Sequence, residues 1–252
     1  MALTDNLVSV WELKEASGNA LDSFGSNTLT ETSGTIAAAS GKILGARDFE
    51  ANDTEWFAAG SNTILRPGDA DFTISAWVNV ESLTTGRSIA GKYLTTGDQR
   101  EYRLHAGSNG FRNTLRFSVS AAGTSTITTQ DWSGTATTAT WYFVVAWHDA
   151  ANNQIGISVN NGSAETTAHS TGVFQGTGTF AIGAEDGSGG NAPYDGLIEQ
   201  VAFWNRVLTS GERTTLYNSG AGLAYSSWGG GGSKNLFKPS LFRPALFRGN
   251  AA

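Results

Sequence analysis

Apolar and polar residues alternate in short runs along most of the chain, and polar turns separate the runs. In the clearest run, at residues 72–78, Phe72, Ile74, Ala76 and Val78 fall on one face of an extended segment. Strands that recur at this spacing, without a helix before position 209, predict a two-sheet antiparallel sandwich. Further strands are predicted at residues 7–13, 45–50, 55–57, 88–93, 101–105, 115–121, 125–130, 154–159, 164–168 and 180–183.

Two buried strands, one hairpin and one helix have their own local patterns. Residues 141–149 and 197–204 are apolar on both faces, which predicts strands in the interior of a sheet. Asn160-Asn161-Gly162 predicts a tight hairpin, because the central positions of such a turn need positive φ. Thr209 and Glu212 have the spacing of a capping box and predict a short helix.

The segment from position 194 to 206 reads Tyr-Asp-Gly-Leu-Ile-Glu-Gln-Val-Ala-Phe-Trp-Asn-Arg, and Leu216-Tyr217-Asn218 follows it. It resembles the last strand and terminal helix of laminin-G-type domains in the concanavalin A-like lectin/glucanase superfamily. The resemblance implies an all-β fold, a two-sheet antiparallel jelly-roll sandwich with one short C-terminal helix, here followed by an extended C-terminal tail. The chain departs from the family pattern at Glu199-Gln200, where the family usually shows Asp-Glu.

A polar turn at residues 22–27 follows the first predicted strand. The family often has a bound calcium ion near such a loop, and calcium takes about six to eight oxygen ligands. The resemblance therefore implies a structural calcium ion at Asp22, Asn27 and Glu199, although no cofactor is required. The alternative is that Asp22 and Asn27 only cap the turn by hydrogen bonding to their own backbone.

The composition argues against several classes of protein. The 252 residues have a net charge of −6, whereas a nucleic-acid-binding surface needs a basic patch. The chain has no cysteine, which excludes disulfides and thiolate metal sites. No apolar run approaches the roughly 18 to 20 residues that span a bilayer. We therefore expect no nucleic-acid partner and no membrane span.

The N-terminus lacks the pattern of a Sec signal peptide, although the domain is of an extracellular type. A protein that is made in the cytoplasm and released by lysis, as virion proteins are, accounts for this combination. A secreted domain that has been stripped of its signal accounts for it equally well. We expect a location on a virion surface or outside the cell.

The catalytic motif of the family's glucanases is absent. These retaining enzymes need two carboxylates about 5 to 5.5 Å apart on one strand, in the motif Glu-x-Asp-x-x-Glu or Glu-x-Asp-x-Glu. The nearest match, Glu50-Ala-Asn-Asp53-Thr-Glu55, has the wrong spacing and Asn52 in place of the aspartate. We expect a protein that is not an enzyme.

Sugar binding is a non-enzymatic function that three predicted loops would suit, at residues 93–103, 109–113 and 185–194. It needs an aromatic platform beside amide and carboxylate groups that hydrogen-bond to hydroxyls. The alternative is that these residues are ordinary solvated loop positions. The candidate carbohydrate-binding residues are Asp98, Arg100, Glu185, Asp186, Asn191 and Tyr194.

The end of the chain differs from the rest. We predict a jelly-roll domain at residues 1–226, a glycine-rich linker at 227–233 and a docking tail at 234–252. The tail has four basic and no acidic residues, whereas residues 1–228 have 12 basic and 22 acidic residues. Its Leu-Phe pairs favour burial, since burying one such side chain is worth about 1.5 to 3 kcal/mol. The predicted docking residues are Leu236, Phe237, Lys238, Leu241, Phe242, Arg243, Leu246, Phe247 and Arg248.

Three interpretations of the tail follow from its sequence. It docks into a protein partner, such as a capsid or assembly subunit. It straps back over the acidic sandwich of its own chain. It is an engineered extension, since Gly-Gly-Gly-Gly-Ser is a common designed linker.

Two functions remain as hypotheses. The first is a structural or adhesive module on a virion surface, as a capsid decoration or appendage protein, which the tail anchors and which also binds host glycans. The alternative is a carbohydrate-binding domain of a secreted bacterial protein, with or without a dependence on calcium.

Overall fold

The computed structural model describes residues 1–59, 65–108, 110–185 and 191–229. These residues form two antiparallel β-sheets packed face to face, with one short α-helix near the end of the described part. The jelly-roll sandwich predicted from the sequence is confirmed.

The first sheet has eight strands. They are β1 (Leu7–Trp11), β3 (Ala37–Ser40), β4 (Gly45–Phe49), β6 (Phe72–Val80), β11 (Trp141–Asp149), β12 (Gln154–Val159), β13 (Glu165–Ala168) and β15 (Gly196–Trp204). Their order is β13-β12-β11-β6-β15-β4-β3, and β1 also pairs with β15. The two runs that are apolar on both faces, β11 and β15, therefore lie inside the sheet as predicted.

The second sheet has seven strands. They are β2 (Thr30–Thr32), β5 (Trp56–Ala58), β7 (Arg87–Leu94), β8 (Gln99–Ser108), β9 (Asn113–Ser120), β10 (Ile127–Asp131) and β14 (Ala181–Ile182). Their order is β10-β9-β8-β7-β14-β5-β2. The short strands β2 and β3 were not predicted, because Thr-Glu-Thr and Ala-Ala-Ala-Ser have no alternation of apolar and polar residues.

The main core lies between the sheets and follows the period of two in the strands. Phe72, Ile74, Ala76 and Val78 all point into it, as predicted for β6. The Phe72 ring stacks on Phe203 of β15, with 5.5 Å between ring centroids. The hairpin between β12 and β13 is also as predicted, since Asn160 and Asn161 both have positive φ.

A second apolar cluster covers the outer face of the eight-stranded sheet. The helix α1 (Ser210–Tyr217) packs there, and Thr209 and Glu212 form the predicted capping box at its start. Beyond the helix, Trp228 stacks on Trp204 of β15 with 5.5 Å between ring centroids. The cluster consists of Leu3, Leu7, Val10, Trp77, Phe143, Val145, Trp147, Ala202, Trp204, Leu208, Leu216 and Trp228.

The buried position of Trp228 extends the domain beyond the predicted boundary at residue 226. A 3-10 helix, Tyr225–Ser227, leads into this tryptophan. Most of the predicted linker and the whole predicted tail, residues 230–252, lie outside the described residues.

Candidate functional site

The outer face of the seven-stranded sheet has a row of three arginines, each paired with a carboxylate. The pairs are Arg100 with Asp98, Arg103 with Glu185, and Arg116 with Asp131. We call these six residues the arginine face.

Strand register brings the arginines together. Arg103 of β8 lies opposite Ser118 of β9, while His105 lies opposite Arg116. Arg116 in turn lies opposite Asp131 of β10. Successive residues of a strand point to opposite faces, so Tyr102 and Leu104 enter the core while Arg103 and His105 point outward. A bulge in the pairing of β7 with β8 shifts this alternation by one residue, so Arg100 lies on the same face as Arg103.

Arg103 is at the centre of the arginine face. Its guanidinium lies over the Tyr93 ring, 4.4 Å from the ring centroid, and Nη1 donates to the Glu185 carboxylate. Only 12% of each side chain in this ion pair is exposed. Burial, with the nearby charges of Arg116 and Arg100, lowers the pKa of Arg103 to about 10, although Tyr93 opposes the shift. The guanidinium stays charged at neutral pH.

Arg100 and Asp98 form the most exposed pair. Arg100 Nη1 donates to Asp98 Oδ1 at 2.8 Å and to the carbonyl oxygen of Gly123 at 3.3 Å. The Asp98 side chain is 62% exposed, so its remaining acceptor sites face solvent. Asp98 has positive φ, at 56°, in the turn between β7 and β8.

A chain of hydroxyl groups lies between the arginines. His105 Nε2 and Ser118 Oγ are 3.0 Å apart, and Ser118 Oγ and Thr129 Oγ1 are 2.9 Å apart. Burial lowers the pKa of His105 well below its usual value, and the charges of Arg103 and Arg116 lower it further. His105 is therefore neutral at physiological pH.

Three of the predicted carbohydrate-binding residues, Asp98, Arg100 and Glu185, are brought together on this face. Asn191 lies beside them, and its carbonyl oxygen accepts from the Glu185 amide at 2.9 Å. Asp186 lies outside the described residues.

Tyr194 was predicted as part of an aromatic platform but lies in the core. It is fully buried, and its ring packs edge-on against Phe49 with 6.2 Å between centroids. Burial raises the pKa of Tyr194 well above its usual value. The position of Tyr194 in a loop suggested that it is exposed, but its ring packs against Phe49 of β4 in the core.

Sequence reasoning missed Tyr93, Arg103, Arg116, Asp131 and His105 as parts of a common site. All five lie within strands, where an isolated polar residue is interpreted as an ordinary outward position. The available signal was the recurrence of arginine at outward positions of neighbouring strands, and it becomes informative only once the register is known.

The predicted calcium ligands have other partners. The Asp22 carboxylate accepts from the amides of Val10, Phe24, Gly25 and Asn27 at 2.9 to 3.0 Å. The amide side chain of Asn27 donates to Ser9 Oγ at 2.7 Å. The contacts of Asp22 with Phe24, Gly25 and Asn27 are those of a capped turn, whereas the Asn27 side chain donates to Ser9 of β1. In the described part of the chain, no group of three or more histidine, aspartate or glutamate residues is arranged to hold a metal ion.

Glu199 and Gln200 form a bulge in β15 and fasten two other segments. The Glu199 carboxylate accepts from the amides of Lys42, Ile43 and Leu44, at distances from 2.5 to 3.1 Å. Desolvation raises the pKa of Glu199, although these hydrogen bonds oppose the shift. Gln200 donates to the carbonyl oxygen of Leu223 at 3.0 Å and accepts from the Tyr225 amide. Calcium binding at Asp22, Asn27 and Glu199 stays a prediction.

The predicted docking residues lie outside the described part of the chain. They are Leu236, Phe237, Lys238, Leu241, Phe242, Arg243, Leu246, Phe247 and Arg248. Among the described residues, no helix has the length and apolar character needed to cross a membrane.

A family model for laminin-G-type domains, described as the concanavalin A-like lectin/glucanases superfamily, matches residues 50–212. The chain belongs to this superfamily. The match covers β5 to β15 and reaches into α1, and so includes every strand that contributes to the arginine face. No curated protein sequence matches the chain.

Solved structures with this fold include domain 4 of AbnA, an extracellular arabinanase of family GH43 from Geobacillus stearothermophilus, solved with arabinotriose. It is 21% identical, with a TM-score of 0.62, and the match covers 83% of this chain and 97% of that domain. At this identity the similarity establishes the fold alone.

Toxin binding domains are also similar in structure. The binding domain of Paraclostridial Mosquitocidal Protein 1 is 15% identical, with a TM-score of 0.65. The match covers 85% of this chain and 52% of that domain. The botulinum neurotoxin DC binding domain, solved with rat synaptotagmin II, is 14% identical with a TM-score of 0.63 and the same coverage. The chain thus spans about half the length of these toxin domains.

Proposed function

We propose that this protein is a non-enzymatic carbohydrate-binding module and that the arginine face contacts the glycan. The observation that carries this proposal is the row of three ion pairs, Arg100–Asp98, Arg103–Glu185 and Arg116–Asp131, on an outer sheet face. It concentrates charged donors and acceptors at fixed positions on neighbouring strands.

A sugar hydroxyl both donates and accepts hydrogen bonds, so a glycan site needs both kinds of partner. Each guanidinium has five N–H donors and each carboxylate has about four acceptor positions. Hydrogen bonds to charged groups are about twice as strong as those between neutral groups. Because Arg103 is held by Tyr93 and Glu185, little side-chain entropy is lost when a ligand binds it.

The comparisons support a binding role without defining the ligand. The superfamily includes lectins by its description, and the AbnA domain was solved with a bound arabinotriose. We extend sugar binding to this chain as a proposal, because the identity is low.

Calorimetric titration of the full chain with a panel of oligosaccharides tests the site. We expect Arg103→Ala to weaken binding by about 10- to 100-fold, since a hydrogen bond to a charged group is worth about 1.5 to 3 kcal/mol. Lys42→Ala is the matched control, because Lys42 is a cation in the turn between β3 and β4 of the other sheet, 5.8 Å from the Trp77 ring centroid.

Arg116→Ala is a second variant, since this side chain is 26% exposed and its removal disturbs the fold less. Equal affinity of both arginine variants and the natural protein would place the glycan elsewhere. Titrations with and without a chelator test the calcium prediction. An unchanged affinity in the chelator would count against calcium-dependent binding.

We further propose that the module belongs to a virion-type surface assembly and that residues 234–252 attach it there. The described chain ends at Gly229, next to Trp228 on the outer face of the eight-stranded sheet. Attachment from that side would leave the arginine face directed away from the assembly. The four basic residues of the tail, with no acidic residue among them, also favour docking to an acidic partner.

Co-sedimentation with purified host particles tests the attachment, with the full chain compared with a chain that ends at Gly229. We expect only the full chain to sediment. If both forms sediment equally, the tail is not the anchor, and the secreted carbohydrate-binding domain becomes the better hypothesis.

A further inference from the structure

The arginine face has no net charge, although its three arginines give it a cationic appearance. Arg100 donates to Asp98 at 2.8 Å and Arg116 donates through Nε to Asp131 at 2.6 Å. Arg103 donates to Glu185. Each guanidinium is therefore neutralised before any ligand arrives.

An acidic sugar is disfavoured by this arrangement. Its carboxylate or sulfate would either compete with a carboxylate of the protein for the same guanidinium or lie beside that carboxylate. Competition for the guanidinium would break an ion pair, and the pair of Arg103 with Glu185 is largely buried. A position beside the carboxylate would place two negative charges close together.

The charge of the rest of the domain acts in the same direction. Residues 1–228 have 12 basic and 22 acidic residues, and this excess of negative charge repels polyanions at long range. A surface that binds an anionic glycan would instead have more arginines than carboxylates.

A neutral sugar can use both members of an ion pair at once. One hydroxyl can accept from a guanidinium while its neighbour donates to the carboxylate, and the ion pair stays intact. The exposed fractions fit this use, since Arg116 and Asp131 are 26% and 25% exposed and Asp98 is 62% exposed.

We infer that the arginine face binds a neutral glycan through hydroxyl groups that bridge its Arg–carboxylate pairs. This inference rests on the proposed function and specifies its ligand class. The face is long enough for more than one sugar unit, since it extends from Arg100 and Arg103 on β8 to Arg116 on β9, which lies opposite His105 two residues beyond Arg103. An oligosaccharide is therefore favoured over a monosaccharide.

The test is a titration of the full chain with neutral pentose and hexose oligosaccharides, each beside a sulfated derivative of the same backbone. We expect a neutral member to bind at least tenfold more tightly than its sulfated counterpart. We also expect its affinity to change less than twofold between 50 and 300 mM NaCl, because screening acts on interactions between charges.

Glu185→Gln and Asp131→Asn sharpen the test, because each gives the face a net positive charge at almost constant shape. We expect these variants to bind the neutral oligosaccharide more weakly. We also expect a smaller difference between their affinities for the neutral and the sulfated oligosaccharide. Lys42→Ala again serves as the control and should change neither affinity.

The possible outcomes separate the inference from the proposed function. Tighter binding of a sulfated member, with an affinity that falls steeply as salt increases, would overturn the neutral-glycan inference but leave a glycan-binding module. Absence of binding to every member would remove the proposed function itself.

Discussion

The two outer faces of the sandwich differ in what lies on them. The outer face of the eight-stranded sheet is apolar and is covered by the N-terminal segment, α1 and the segment that ends at Trp228. The outer face of the seven-stranded sheet has arginines, carboxylates and hydroxyls, most of which form ion pairs or hydrogen bonds with one another.

This difference separates stability from function. Burial of apolar side chains such as Trp204 is favourable, and the N-terminal segment, α1 and the segment that ends at Trp228 together cover this face of the sheet. Ion pairs on a partly exposed face add little stability. Their organisation into a row is consistent with the proposed role in glycan recognition.

The largest expected effect is on the apolar face. Trp204→Ala removes a fully buried ring that stacks on Trp228 and whose Nε1 donates to the carbonyl oxygen of Leu3 at 2.7 Å. We expect a loss of about 3 to 5 kcal/mol in the free energy of unfolding, measured in urea. A loss below about 1 kcal/mol would mean that burial of the outer face of the eight-stranded sheet contributes little to stability.

The next effect is a pH dependence that comes from His105 on the arginine face. Its pKa is lowered by burial, then by Arg103 and Arg116, so below pH 6.5 the unfolded chain binds a proton that the folded chain does not. The folded state therefore loses up to about 1.4 kcal/mol per pH unit below that point and loses nothing above it.

His105→Asn should abolish this contribution. We expect the variant's stability deficit relative to the natural protein to be about 1 kcal/mol smaller at pH 5.5 than at pH 7.5, by urea denaturation. His169, whose pKa is also lowered, cancels in this comparison. A deficit that is the same at both pH values would show that His105 is not kept neutral by the fold.

The smallest effect is expected for Arg116→Ala, again on the arginine face. Because Arg116 and Asp131 are both about a quarter exposed, we expect a stability loss of no more than about 1 kcal/mol that shrinks as salt increases. The matched variant is Arg206→Ala on the apolar face, where Arg206 and Glu212 are less than 10% exposed and share two hydrogen bonds of 2.8 Å.

Removal of Arg206 leaves the buried Glu212 carboxylate without its charged partner, although Thr209 still donates to it, and this should cost about 3 kcal/mol. Equal losses for the two variants would contradict the contrast between the faces.

The sequence predicted the sandwich well because its strands obey a period of two. Alternation at Phe72–Val80 and continuous apolar character at Trp141–Asp149 were enough to place β6 and β11 in the core. The helix was also predictable, since the capping box at Thr209 and Glu212 is a local signal. The strands β2 and β3 have no such pattern and form only because neighbouring strands pair with them.

The candidate site was less predictable, because it depends on pairing between distant segments. Asp98, Arg100 and Glu185 were identified from loop composition, but their common location depends on how the turn after β7 and the loop after β14 meet. Arg103 finds its carboxylate 82 residues away. Tyr194 shows the opposite error, since a loop residue turned inward to complete the core.

The late position of β15 in the chain has a consequence for synthesis on the ribosome. Leu7 of β1 pairs with Trp204, and the Glu199 carboxylate receives amides from a turn about 155 residues earlier. The first strand therefore emerges long before its partner has been translated, and contacts so distant in sequence form slowly. We expect the sandwich to remain incompletely folded, with its apolar strands accessible to chaperones, until β15 leaves the exit tunnel and pairs with β1.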